Sequence, residues 1–298
     1  MIPLLALCAA VAPGLYQAPP LEYAEPAAEE YPSGIPILCY HHVSDPPVQY
    51  GVSTHRFRSD LEALYRNGFY LVTPRDLENS LIQVPAGRRP VMITFDDGWE
   101  NNYRFLPGTS LTDPNSALGI IEAFLEEHPD FGGGVTFFIS WDKIPFGEHT
   151  VEKFHNLLDM GHELGNHSFS HAAFTALPPD GWKRQVNRAL DRFSETLGLR
   201  TAEVRSFAYP GGAIPQRGDF LPQVASFTWN GRPSFTTGYT VDGMVTSLSR
   251  VYGREYGRFA IGRLDMSRYS VSQVLQWRNL MVTGTERTSI RSPLSFHR

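Results

Sequence analysis

The chain has 298 residues, with 26 Lys and Arg against 31 Asp and Glu, so its formal charge is −5 with histidines neutral. That length suits one large domain or two small ones, and 42% hydrophobic with 19% charged residues excludes wholesale disorder. Mild acidity without a cluster of Lys and Arg removes the electrostatic footprint that DNA or RNA binding requires, so no nucleic-acid partner is expected.

The apolar run from Ile2 to Ala12 ends in small residues and then Pro13-Gly14. It is too short to span a bilayer but fits the core of a secretory signal. No Lys or Arg precedes Arg56, so the basic start of such a signal is missing, and a trimmed or misassigned start is the rival reading. Leu5-Ala6-Leu7-Cys8 faintly resembles a lipoprotein processing site, against which the bulk of Leu7 counts. From Pro13 to Ser33 the chain is rich in Pro, Ala and Glu without periodicity, which reads as an extended tether. Residues 1–33 are thus expected to form an export segment and tether, with the folded domain at 34–298 and a secreted or cell-envelope location. If that segment is removed, Cys39 is the one cysteine left and no disulfide holds the fold. No other stretch is apolar and long enough for a transmembrane segment.

Strand-like runs then alternate with helical patterns. Ile35 to Tyr40 is the first strand, and Ser53 caps a helix with Phe57, Leu61, Leu64 and Tyr65 on one face, stopped by Gly68. Phe69 to Val72 is a short strand, Thr73-Pro74 opens a helix, and Val91 to Phe95 is a buried-type strand. Ala117 to Glu127 is helical in pattern and Val135 to Ser140 is a strand. A helix at Val151 to Met160 precedes a strand at His162 to Asn166. Trp182 to Leu197 is a long amphipathic helix, and Ser206 to Tyr209 is a strand. The stretch from Gly211 to Gly257 is rich in Gly, Ser, Thr and Pro and resists assignment, and Phe259 to Leu264 is the last expected strand. This alternation argues for an α/β fold with a parallel sheet, closed or nearly closed into a barrel.

In such folds reactive groups gather at the carboxyl ends of strands. The ends here carry Tyr40-His41-His42, Asp96-Asp97-Gly98, Asn166-His167-Ser168-Phe169-Ser170-His171 and Tyr209-Pro210-Gly211-Gly212. Together they are suited to metal-assisted hydrolysis. His167 and His171, four apart, can face one ion, and a carboxylate completes a three-ligand site with a position open for water. Of two adjacent aspartates one can bind metal while the other takes the proton of that water. Gly211 can bring a backbone N–H close to a developing oxyanion, and a histidine of the first strand can protonate an amine leaving group. Singly, each part has a structural reading: Asp-Gly and Pro-Gly-Gly are turn signals, and paired histidines are often satisfied by backbone. His162-Glu163 is not a zincin motif, since the next histidine falls five residues after His162, and His162 reads as structural.

The motifs Thr94-Phe95-Asp96-Asp97-Gly98, Gly161 to His171 and Phe207-Ala208-Tyr209-Pro210-Gly211-Gly212 resemble those of the polysaccharide deacetylases of carbohydrate esterase family 4. The resemblance covers roughly Ile35 to Leu264 and implies a distorted (β/α)7-type barrel that binds a divalent metal, usually Zn²⁺. Carried over, Asp96 matches the general base, and Asp97, His167 and His171 match the metal ligands. Gly211 matches the oxyanion donor, although the family usually has an aromatic residue there, and Tyr209 and Pro210 match its substrate-binding neighbourhood. The family's base-orienting arginine is out of register, because Arg205 lies five residues ahead of Pro210, and Arg263 is the substitute on offer. The usual late Leu-x-His motif is missing, since the only histidine after His171 is His297. Pro36-Ile37-Leu38-Cys39-Tyr40-His41-His42-Val43 is similar instead to the branch acting on poly-N-acetylglucosamine, where the acid histidine comes from the first strand, at the position of His41. The expected activity is metal-dependent removal of acetyl groups from an N-acetylated polysaccharide. The alternatives are an O-acetyl (xylan-type) esterase of the same fold and a silent carbohydrate-binding protein.

Overall fold

Parallel strands separated by helices lay out the molecule, and their carboxyl ends share one rim. The computed structural model describes residues 34–276 apart from 79, 80 and 86, together with the backbone of a strand at Thr288–Arg291. The export segment and tether expected at residues 1–33, and His297, lie outside the described residues.

The strands are β1 (Ile37–Tyr40), β2 (Phe69–Leu71), β3 (Arg89–Phe95), β4 (Thr136–Ile139), β5 (Glu163–Asn166), β6 (Ser206–Ala208), β7 (Thr237–Tyr239) and β8 (Leu264–Asp265). They form one parallel sheet in the order β7-β6-β5-β4-β3-β1-β8, with β2 paired to the first half of β3. The sheet curls so that its two ends meet. Ile261 bridges Tyr239 of β7, and three residues later Leu264 pairs with Leu38 of β1. The distorted barrel of about seven strands is thus the observed architecture.

Two elements depart from expectation. The last strand was expected at Phe259–Leu264, but Gly257–Phe259 is a 3-10 turn and the strand is Leu264–Asp265. Ile261 spends its N–H on Gly238 and its carbonyl on Thr240, so pairing with β1 begins only beyond it. The unassigned stretch contains β7, whose three residues Thr-Gly-Tyr are too few to carry a strand periodicity.

The principal helices are α1 (Thr54–Arg66), α2 (Ala117–Glu127), α3 (Thr150–Asp159) and α4 (Pro179–Leu197). Ser53 and Ser116 cap α1 and α2 by accepting the N–H of Arg56 and Gly119. Along β3, Ile93 and Phe95 pack with helix residues such as Leu61, Leu157 and Phe193, whereas Met92 packs with Ile37, Phe138, Ala208 and Tyr239 inside the barrel. This period of two separates the helix-covered face from the interior. Gly165 belongs to the interior, where a Cβ would stand 2.3 Å from the Phe138 ring. Among the described residues no helix is long and apolar enough to cross a membrane.

Candidate active site

The alternation along β3 predicts where Asp96 goes. It shares the parity of Met92 and Thr94, so its carboxylate continues the inward row at the top of the barrel. Asp97 has the opposite parity but adopts φ 76°, and its Oδ1 returns to the same place as Asp96. Positive φ is uncommon outside glycine, with Asp among the residues that tolerate it best.

Asp97 Oδ1 lies 3.3 Å from His167 Nε2 and 3.1 Å from His171 Nε2. The ligand atoms of the three residues all lie within 4.8 Å of one another. His167 directs Nδ1 at the Ala208 carbonyl, 2.8 Å away. With that nitrogen donating, the lone pair of a neutral ring is left on Nε2, toward Asp97. Asp97 Oδ1 is buried, and no N–H or O–H is aligned on it. A buried acceptor facing two imidazole nitrogens is costly by itself and is the arrangement a divalent cation would satisfy. The other oxygen, Oδ2, accepts the Trp99 indole N–H at 2.9 Å. The residues present therefore fit a two-histidine, one-carboxylate metal site.

Asp96 is held differently. Arg263 grips it through two hydrogen bonds of 2.7 Å, and both side chains are buried. Arg263 is itself fixed by Thr240 O (3.2 Å) and Thr94 Oγ1 (3.1 Å), and it lies 5.2 Å from the centre of the Phe138 ring. Burial works to raise the Asp96 pKa, but the charge and paired hydrogen bonds of Arg263 outweigh it and hold the carboxyl below the usual carboxylate range. Cys39 Sγ faces Asp96 Oδ2 at 3.5 Å, and burial pushes its thiol well up, so it stays a neutral donor. Arg205 points elsewhere, pairing with Glu78 (Nε to Oε2, 2.9 Å).

A cavity of about 320 Å³ opens on this group, lined by His41, Asp96, Asp97, His171 and Gly211 among others. Gly211 takes φ 71°, and a Cβ there would meet nothing within 4 Å. His41 contributes a buried Nδ1 without a partner, while His42 turns aside, its ring tilted against Trp99 with centroids 4.3 Å apart and its Nδ1 on Asn101. The substrate contacts expected of Tyr209 and Pro210 are corrected. Tyr209 is fully buried against Phe174, Phe207 and Phe220, with its hydroxyl donating to Phe259 O at 2.9 Å. Pro210 is buried and starts the turn that presents Gly211. His162 lies outside the site, accepting the Val135 N–H through Nδ1 and facing Glu122 through Nε2.

Sequence reasoning missed Trp99, Tyr50, Asp265 and Arg268, the last three of which line the cavity. Trp99 had a signal, standing two places after Asp97, whereas Tyr50 and Arg268 come from loops and Asp265 from the two-residue β8, none of them in a motif.

Residues 83–219 match the family model described as polysaccharide deacetylase, a span that includes Asp96, Asp97, His167, His171 and Gly211 but neither His41 nor Arg263. The Bacillus subtilis (strain 168) protein YxkH is 22% identical over 80% of this chain and 73% of its own length. Among solved structures, Streptococcus pyogenes deacetylase PplD in complex with acetate is similar with a TM-score of 0.61 and 19% identity, covering 82% of this chain and 98% of that one. IcaB from Ammonifex degensii is similar with a TM-score of 0.58 and 21% identity, covering 82% and 97% respectively.

Proposed function

The chain carries a polysaccharide deacetylase domain, and from that premise we propose that it removes N-acetyl groups from N-acetylglucosamine-type residues of an extracellular or cell-envelope polysaccharide. The observation that carries this reading is one cavity lined both by the Arg263-held Asp96 and by the Asp97–His171 edge of the three-ligand group.

Asp97, His167 and His171 would hold a divalent metal, with zinc the best match to this donor set. When bound, such an ion supplies Lewis-acid polarisation and acidifies water. The chain's own groups supply the rest. Asp96, kept ionised by Arg263, accepts the proton of the attacking water. The Gly211 N–H donates to the oxygen that gains charge at the acetyl carbon, from a position where no side chain stands in the way. His41, on the same cavity, gives a proton to the departing nitrogen, without which an amide does not cleave. Asp96, Arg263 and all three ligands are present, which favours turnover over silent glycan binding. An outward route from the cell is suggested by the apolar run at Ile2–Ala12.

The test is acetate release from N-acetylglucosamine oligomers, beside O-acetylated xylan, with and without a chelator. Release from the N-acetylated substrate that chelator abolishes and zinc restores is expected, with a loss of about 10²-fold or more in Asp96→Asn. Chelator-insensitive release contradicts the mechanism, and preferential release from xylan replaces the substrate.

A further inference from the structure

Tyr50 occupies a backbone position that disfavours it. The turn is closed by the Gly51 N–H on Val48 O (2.9 Å), which makes Tyr50 its third residue, at φ 61°. Turns with positive φ at that place ordinarily use glycine or asparagine, and a bulky side chain there is strained. The glycine beside it does not relieve this, because Gly51 is required for another reason: a Cβ would stand 2.9 Å from Val48 O.

The turn is also anchored. Gly51 and Val52 pair with His42 and Val43, and Ser44 N–H reaches Val52 O at 3.1 Å. This pairing carries Tyr50 back over the acid-histidine strand end. Its ring centre lies 5.9 Å from that of His41, and it lines the cavity while remaining 51% exposed. It is the only Tyr, Phe or Trp among the described residues lining that cavity. Gly211 offers no side chain, and the ring of Tyr209 is spent in the core. A strained, exposed aromatic ring on a cavity it shares with ionisable side chains does not serve packing.

We infer that Tyr50 is the platform on which the sugar ring next to the reacting acetyl group stacks, so that substrate affinity is set by a loop before the catalytic motifs. The C–H face of a pyranose is apolar and matches the face of a phenol ring. Held near His41, such a ring would fix the leaving nitrogen within reach of the acid. This inference rests on the glycan reading above.

Three variants test it: Tyr50→Phe, Tyr50→Gly and Tyr50→Asn, each measured for acetate release, for melting temperature, and for oligomer binding in an Asp96→Asn background. Tyr50→Phe is expected to behave as the parent. Tyr50→Gly and Tyr50→Asn are expected to raise KM about tenfold with kcat within about twofold and to weaken oligomer binding equally. Their melting temperature should hold or rise, because the strain is gone. A residue serving only the fold would give a lower melting temperature and an unchanged KM, and that result overturns the inference. If the parent binds oligomers through Tyr50 but releases no acetate, the inference stands and the deacetylase reading falls. If the parent releases acetate and Tyr50→Gly binds and turns over as the parent does, the inference alone falls. An absence of both binding and release in the parent overturns both.

Discussion

Removing the guanidinium of Arg263 leaves the Asp96 carboxylate buried without its counter-charge, because both groups sit inside the barrel and make two 2.7 Å bonds to one another. Arg263→Met is therefore expected to destabilise the fold by about 3–5 kcal/mol, whereas adding Asp96→Asn to it recovers a substantial part of that loss. Urea unfolding of the two single variants and the double variant measures this, and strict additivity would show that the pair is not a unit. At this scale the sequence was informative wherever chemistry is local. Asp96-Asp97 and His167 with His171 stand within a few places of one another and announce a ligand set. Arg263 lies 167 residues from Asp96 and was legible only as a stand-in for a missing arginine. Trp99 was signalled only by its closeness to Asp97, and Tyr50 was not legible, because its role depends on a φ angle that residue identity does not reveal.

Among the elements, α4 does more than cover the sheet. Its Gln185 side chain accepts the N–H groups of Phe169 (3.1 Å) and Ser170 (2.9 Å) and donates to Ser170 Oγ (2.8 Å). One turn's worth of helix thus fixes the loop that spaces His167 from His171, a loop bent through φ 74° at Ser168 and 52° at His171. Asn166 closes the other side, donating to Val186 O at 3.0 Å and accepting the Ser168 N–H at 2.8 Å. Gln185→Ala is expected to weaken zinc binding by about 10–100-fold while leaving the far-ultraviolet circular dichroism unchanged. Chelator competition reads the affinity, and parent-like binding would show that the loop holds its shape alone. The helices themselves were readable from caps and apolar spacing, as the coincidence of α2 with Ala117–Glu127 shows. Strands of two or three residues, β7 and β8 above all, were not, because their identity comes from the neighbours they pair with.

For the whole molecule, the curled sheet converts separations of tens to hundreds of residues into one rim. Asp97 and His167 belong to strands separated by β4, and their side chains lean together above it. An ion bound between them ties the ends of two strands that each pair with β4 but not with one another. Zinc at about a thousandfold its Kd should stabilise the native state by about 4 kcal/mol, read as a higher melting temperature that chelator reverses. An unchanged melting temperature would mean that the ion is not bound by the folded chain at those concentrations. The general architecture, an α/β barrel with its chemistry at the carboxyl ends, was visible in the alternation of patterns. Its closure through Ile261 was not, since one bridge leaves no periodic mark.

The most direct measurement is a calorimetric titration of metal-stripped protein with zinc chloride, made on the parent and on Asp97→Ala. One ion per parent chain, with no detectable binding by a folded Asp97→Ala, is the expected result. Equal stoichiometry and affinity in the two proteins would contradict the shared site of Asp97, His167 and His171.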